Sequence, residues 1–159
     1  MANDMQHWPR WVKASLSEHF NNVTGSFVLF VENMYREEQN EQDTVELRVD
    51  GPYLTEVSKG YWKVFCEVSL LLQTSMSATD LYREDRSVGV IMKACSAGIQ
   101  VFRYGNGAAD DSSRLGCFHV VADARGKERI QVNRFGQIKP SVRLLQSTVE
   151  VHLVMEITV

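Results

Sequence analysis

The sequence predicts an α+β fold, in which a mainly antiparallel β-sheet of about six or seven strands carries two helices on one face. Apolar and polar residues alternate along residues 60–73 and again along residues 144–159, which predicts two long strands. Apolar residues recur at spacings of three and four along residues 5–20 and 77–97, which predicts the helices. No repeat divides the chain, so residues 1–159 are expected to form a single domain.

Residues 60–73 form the strand around which we expect the sheet to be built. One of its faces is apolar throughout and consists of Trp62, Val64, Cys66, Val68, Leu70 and Leu72. At roughly 3.3 Å per residue the run spans about 45 Å, which exceeds the usual strand of about 5–6 residues. Part of it is therefore expected to pair or pack beyond the subunit; the alternative is a long, bent central strand in a monomer. Residues 144–159 are expected to pair near it.

Shorter segments complete the predicted sheet. Strand patterns occupy residues 26–32, 44–49, 99–104, 115–122 and 129–135. Asp50-Gly51-Pro52 predicts a turn, and residues 123–127 predict a hairpin loop between the last two of these strands. Residues 33–43 and 105–114 are polar and predict long exposed loops.

The second helix has a recognisable start and end. Ser77, with Asp80 three residues on, resembles a capping box, and Gly98 suits the position after a helix C-terminus. Its predicted buried stripe contains Leu81, Val88, Ile91, Met92 and Cys95, while residues 82–86 are expected to face water. Gly89 weakens the middle of the helix, so a break there would not be surprising.

Composition excludes several classes of protein. The chain is 44% apolar and 23% charged, which is typical of a folded globular domain. A net charge of −3 gives no overall attraction to nucleic acid. No apolar run is long enough to span a membrane, and the start lacks the pattern of a signal peptide.

The sequence shows no catalytic or cofactor motif. Cys66, Cys95 and Cys117 are far apart and are expected to be free thiols in a reducing cytosol. No Cys or His pair has the spacing of a zinc site, and the Asp pair in residues 105–114 lacks the pattern of a calcium loop. The four histidines are scattered, and no Ser or Cys has a nucleophile-elbow context. We therefore expect no enzyme, no cofactor and no metal.

Charge polarity is the clearest functional signal. Residues 32–50 carry seven acidic and two basic residues, a net charge of −5, whereas residues 125–143 carry six basic and one acidic residue, a net charge of +5. A protein with one acidic and one basic end can contact copies of itself head to tail, and such contacts close into rings. The residues predicted to form these interfaces are Glu37, Glu38, Glu41, Asp43, Arg125, Lys127, Arg129 and Arg134.

This choice of interface residues predicts how charge reversal affects assembly. Charge reversal at Glu37, Glu38 and Glu41 is expected to weaken assembly, and reversal at residues 125, 127 and 129 is expected to restore part of it. The alternative is two unrelated solvated surfaces. Contact of the basic segment with DNA has little support, because Arg134-Phe135 is a single basic and aromatic pair.

Seven stretches of the chain carry a resemblance to a known protein family. The stretches are WVKASLSEHF (11–20), FVLFVEN (27–33), VELRVDGPY (45–53), GYWKVFCEVSLLLQ (60–73), VFRYG (101–105), RIQVNRFGQI (129–138) and LLQSTVEV (144–151). They contain 63 of the 159 residues and are distributed from residue 11 to residue 151. Together they resemble the tail terminator and tail-completion proteins found at the neck of tailed bacteriophages, although they are structural patterns and not chemical signatures.

The resemblance implies an α+β structural virion protein without catalytic residues. Its subunits would form a homo-oligomeric ring, commonly a hexamer, that caps the tail and joins it to the head connector. The implied partners are copies of itself, the tail tube protein and the connector or adaptor proteins, with no membrane, and DNA would pass through the ring without specific recognition. Assembly would take place in the host cytoplasm. The alternatives are another phage adaptor, such as a head-completion, minor tail or baseplate component, and a small cytosolic enzyme or ligand-binding domain.

Overall fold

A computed structural model of the chain describes residues 2–24, 27–32, 43–105, 114–121, 130–139 and 142–158. These residues form two α-helices and seven strands. A short 3₁₀ helix, Ala2–His7, leads into α1 (Trp8–Thr24), and α2 spans Arg83–Ser96. The strands are β1 (Val28–Val31), β2 (Thr44–Ser58), β3 (Tyr61–Ser75), β4 (Ile99–Phe102), β5 (Arg114–Val121), β6 (Ile130–Lys139) and β7 (Val142–Thr158).

The sheet is built around the antiparallel pair β3 and β7. Its strand order is β1-β2-β3-β7-β5-β4, with β6 also paired to β7. β3 and β7 pair without interruption from Tyr61 with Thr158 to Ser75 with Leu144. The predicted pairing of the two long alternating segments is confirmed, as is the α+β fold class. The sheet is mixed, because the short β1 runs parallel to β2.

Both helices cover the same face of the sheet. The core joins the apolar face of β3 to buried side chains of α1 and α2. Helix α1 contributes Trp8, Trp11, Val12, Leu16 and Phe20, and α2 contributes Val88, Ile91, Ala94 and Cys95. Burial of these apolar groups is what holds the helices on the sheet.

Strand β3 is internal to the sheet. β2 pairs with one of its edges and β7 with the other. The expectation that residues 60–73 would pair beyond the subunit is therefore wrong for the backbone of this strand. Strand edges available to a partner have to lie elsewhere in the sheet.

The predicted turn at Asp50-Gly51-Pro52 is wrong, because β2 continues through these residues. Asp50 pairs with Glu67 and Tyr53 pairs with Phe65, so β2 has one extra residue here and forms a bulge. Gly51 has a φ of 111°, and a Cβ there would lie 3.0 Å from the carbonyl oxygen of Phe65. Asp, Gly and Pro are residue types that often form turns, but in β2 they accommodate a β-bulge instead.

The predicted hairpin between residues 115–122 and 129–135 is also wrong. β5 and β6 run in the same direction and lie one after the other along the same side of β7. Val121 pairs with His152, and Ile130 pairs with Val151. β7 is 17 residues long and so has room for both strands. Residues 122–129 lie outside the described part of the chain.

Helix α2 begins later than predicted, at Arg83. The hydroxyl of Ser77 does accept a hydrogen bond from the N–H of Asp80, at 3.2 Å, but this bond belongs to a turn that precedes the helix. Leu81 lies in that turn and is 80% exposed, so it is not part of the buried stripe. Gly89 does not break the helix, since α2 runs through it.

Candidate assembly surface

Two of the eight predicted interface residues, Asp43 and Arg134, lie in the described part of the chain. The acidic residues Glu37, Glu38 and Glu41 and the basic residues Arg125, Lys127 and Arg129 lie outside it. Asp43 precedes β2, and Arg134 lies in the middle of β6.

Asp43 is bound within its own chain. Its Oδ1 accepts a hydrogen bond from the N–H of Ser75 at 2.8 Å, and its Oδ2 accepts one from Nε of Arg83 at 3.0 Å. The side chain is only 8% exposed. Asp43 therefore fastens the end of β3 and the first residue of α2, and little of its carboxylate remains for a partner.

Arg134 also contacts the first turn of α2. It donates to Oε1 of Glu84 at 2.9 Å and to Oδ1 of Asp85 at 2.5 Å. The hydrogen bond to Asp85, followed by the charges of both acids, raises the pKa of Arg134 above its ordinary value. Glu84 is buried, although the sequence predicted that it would face water. Half of the Arg134 side chain remains exposed and can still meet a partner.

The described parts of the acidic and basic segments lie towards opposite edges of the sheet. β2, which contains most of the described acidic segment, lies beside β3, and β6, which contains most of the described basic segment, lies beside β7. Two strands therefore separate them. At about 4.8 Å between neighbouring strands, β2 and β6 are roughly 14 Å apart.

Strand β2 is paired on both sides along only part of its length. β1 pairs with Thr44 to Leu47, and no other described strand lies on that side of β2. Residues 48–58, here called the open half of β2, therefore present backbone groups at a strand edge. Such edges pair readily with another chain.

The β4 end of the sheet is closed by side chains of α1. The hydroxyl of Ser15 accepts the N–H of Phe102 at 3.0 Å, and the indole N–H of Trp11 donates to the carbonyl of Tyr104 at 2.8 Å. These side chains occupy backbone groups that would otherwise face solvent. β6 pairs with β7, and no second described strand lies on its other side, here called the β6 edge.

Exposed aromatic side chains lie on the face of the sheet away from the helices, here called the outer face. Tyr53 and Phe65 are cross-strand partners, 51% and 38% exposed. A hydrogen bond to Asp50 raises the pKa of Tyr53. Sequence reasoning missed Tyr53 and the exposed Val57, because the predicted turn left residues 53–59 without an element. The alternation of Tyr53, Leu54 and Thr55 was the signal that could have revealed this half of β2.

An open cleft of about 490 Å³ lies between β2, β3 and β7. Its charged and ionisable lining consists of Glu32, Arg48, Asp50, Glu67, Glu150 and His152. His152 Nδ1 lies 3.6 Å from Oε1 of Glu67. Among the described residues, no group of three or more His, Cys, Asp or Glu side chains could hold a metal ion.

His19 and His152 make separate contacts within the fold. His19 contacts the carbonyl of Ala94 at 2.9 Å, far along the chain from the His152 contact with Glu67. The three cysteines are free thiols, as predicted. Burial raises the pKa of Cys66 and of Cys95 to about 12. Both are therefore protonated at neutral pH and are not nucleophiles there.

Neither helix in the described residues combines the length and the apolarity that crossing a bilayer requires. Comparison with known proteins adds no family assignment: no family model matches the chain, and no curated protein matches it.

Proposed function

We propose that the chain is a structural virion protein of a tailed bacteriophage, a subunit of the ring at the neck that terminates the tail and joins it to the head connector. The observation that carries the proposal is the position of the acidic and basic segments on opposite sides of one sheet. Opposite charges on opposite sides favour a head-to-tail contact between copies, the type of contact that closes into rings. The resemblance to tail terminator proteins supports the identity of the assembly.

In this proposal the protein works by shape and by its interfaces and carries out no reaction. Its partners are further copies of itself in a ring, commonly a hexamer, with the tail tube protein below and the connector above. DNA passes through the ring without being read. The protein assembles in the host cytoplasm and remains in the virion.

Light scattering tests the proposal. The purified protein, alone and mixed with tail tube protein, is expected to give a ring-sized species in at least one case, about six times the 18.1 kDa of the monomer. A strict monomer under both conditions contradicts the proposal. Another position in the virion, such as a head-completion or baseplate component, is separated by locating the protein in images of the intact particle.

The cleft favours a second candidate, a domain that binds a small cationic ligand. Four carboxylates, one arginine and one histidine line it, so carboxylates outnumber the single cationic side chain, and a carboxylate-rich cleft attracts cations. Spermidine is a suitable probe in a thermal-shift assay. If the cleft binds it, the double substitution Glu67→Gln, Glu150→Gln removes the shift, and Glu18→Gln, outside the cleft, leaves it. No shift in the unmodified protein counts against this candidate.

A further inference from the structure

Two strand edges in the described part of the chain could each extend the sheet into a neighbouring molecule. They are the open half of β2, residues 48–58, and the β6 edge, residues 130–139. They are similar in length, and each is long enough for an ordinary pair of strands. The two ends of the strand order are less suitable, because β1 has only four residues and side chains of α1 occupy the backbone groups beside β4.

The two edges lie at opposite corners of the sheet. The open half of β2 lies beside the N-terminal half of β3, where Tyr53 pairs with Phe65. The β6 edge lies at the other end, because Arg134 pairs with Ser147, which in turn pairs with Leu72. A contact between these two edges is therefore heterologous: each copy offers one edge to the neighbour on one side and the other edge to the neighbour on the other side.

The side chains at the two edges are complementary. The open half of β2 carries two acidic residues, Asp50 and Glu56, and one basic residue, Arg48, a net charge of −1, whereas the β6 edge carries the basic Arg134 and Lys139 and no acidic residue. Arg134 also pairs with Glu84 and Asp85 of its own chain, so Lys139 carries most of this contrast in charge. Each edge also carries an exposed apolar side chain, Val57 at 54% and Phe135 at 61%. Pairing β6 with a second β6 would instead bring only basic residues together, which is unfavourable across strands. Pairing β2 with a second β2 would place two edges of net negative charge side by side.

We propose that β6 of one copy pairs edge to edge with the open half of β2 of the next copy, so that the sheet continues from subunit to subunit. Backbone hydrogen bonds provide the affinity, and the opposite charges select the partner. This inference extends the proposed function and rests on it, because the proposed ring is what makes the partner a second copy of this chain.

Cross-linking tests the contact directly. Val57→Cys and Phe135→Cys are combined in a Cys117→Ser background, since Cys66 and Cys95 are buried. A flexible bismaleimide is expected to convert the double variant into a ladder that ends at the ring size. An equal mixture of the two single variants is expected to give dimers only, and Val57→Cys alone is expected to give no product.

The outcomes separate this inference from the proposed function. A ring-sized species in light scattering without a Val57–Phe135 product overturns the edge pairing and leaves the ring. A cross-link from Val57→Cys alone also overturns it, because that product requires a β2–β2 contact. A strictly monomeric protein that gives no cross-linked product, even with tail tube protein present, overturns both the edge pairing and the proposed ring.

Charge reversal provides a second measurement that does not depend on cysteine chemistry. Glu56→Lys and Lys139→Glu are each expected to weaken self-association roughly threefold to tenfold, and the double swap is expected to restore it. Lys93→Glu, on the exposed side of α2, is the matched control and leaves association unchanged. Equal effects of Lys93→Glu and Lys139→Glu contradict the proposed contact.

Discussion

Arg134 on β6 donates a hydrogen bond to the buried carboxylate of Glu84 on α2 at 2.9 Å. It also reaches Asp85, so a single guanidinium joins the basic strand to the first turn of the helix. The other carboxylate oxygen of Glu84, Oε2, has no partner among the described residues, so Arg134 is its main compensating charge. This contact links β6 to α2, in addition to the backbone pairing that holds β6 on β7.

Removing that guanidinium is expected to destabilise the protein. Arg134→Ala should lower the free energy of unfolding by about 1–2 kcal/mol, because a buried carboxylate loses its partner. The half-exposed position of Arg134 keeps the loss at that level through solvent screening. Urea denaturation measures it. The control is Arg48→Ala, whose exposed pair with Glu46 should be worth less than about 0.5 kcal/mol.

A second substitution tests the cause of that loss. Adding Glu84→Gln to Arg134→Ala should recover part of the stability, because the unpaired buried charge is then gone. No recovery, or equal losses of stability for Arg134→Ala and Arg48→Ala, would show that the contact with Glu84 is not what stabilises the packing of β6 against α2.

Gly89 is expected to be a site of easy stabilisation. It lies inside α2, and a Cβ there would meet no atom within 4 Å. Gly89→Ala should therefore raise the free energy of unfolding by about 0.5–1 kcal/mol through helix propensity. Gly98→Ala is the matched contrast, since Gly98 has a φ of 76° and lies close to Cys117. Thermal denaturation should show opposite shifts, and a loss at Gly89→Ala would contradict the continuous helix.

Thr74 carries a buried hydroxyl that has no hydrogen-bond partner among the described residues. Thr74→Val keeps the shape and removes the unpaired polar group, so the free energy of unfolding should rise by about 1 kcal/mol. Chemical denaturation measures the change. Thr55→Val, on the exposed part of β2, controls for strand propensity. A clear loss in Thr74→Val would mean that the hydroxyl is satisfied in solution, for example by a buried water.

The sequence predicted elements whose burial differs between their two faces. Val64, Val68 and Leu72 of β3 are buried while Phe65 and Glu67 are exposed, and this contrast is what the alternation recorded. Pairing between strands was harder to predict, because alternation is local. β7 could pair with both β5 and β6, but nothing in their sequences shows that they share one side of it.

The sequence predicted the charge of the candidate assembly surface but not its geometry. The polarity between residues 32–50 and 125–143 is a property of composition, and the structure places its described parts on opposite sides of the sheet. The direction of individual side chains depends on α2, whose first turn pairs with both Asp43 and Arg134. That helix is distant in sequence from both residues. The open half of β2 was missed because β-bulges and turns favour the same residue types, so Asp50-Gly51-Pro52 was interpreted as the end of the strand.

The buried thiols predict a loss of stability at high pH. Burial raises the pKa of Cys66 and Cys95 from 9.0 to about 12. Between these values the unfolded chain releases thiol protons while the folded chain keeps them, so the free energy of unfolding falls as the pH rises above about 9. Denaturation at a series of pH values measures the slope. Cys66→Ala should start from a lower stability, because of the cavity, but should show a shallower slope.

Thiol reactivity provides the control for that slope. At pH 8 the folded protein should react with a thiol reagent mainly at Cys117, the half-buried cysteine, and the denatured protein should react at all three. Cys117→Ser should therefore abolish the fast reaction of the folded protein. An unchanged slope in Cys66→Ala would instead assign the alkaline loss to other groups, of which Tyr104 is the first to examine, because burial raises its pKa to about 12.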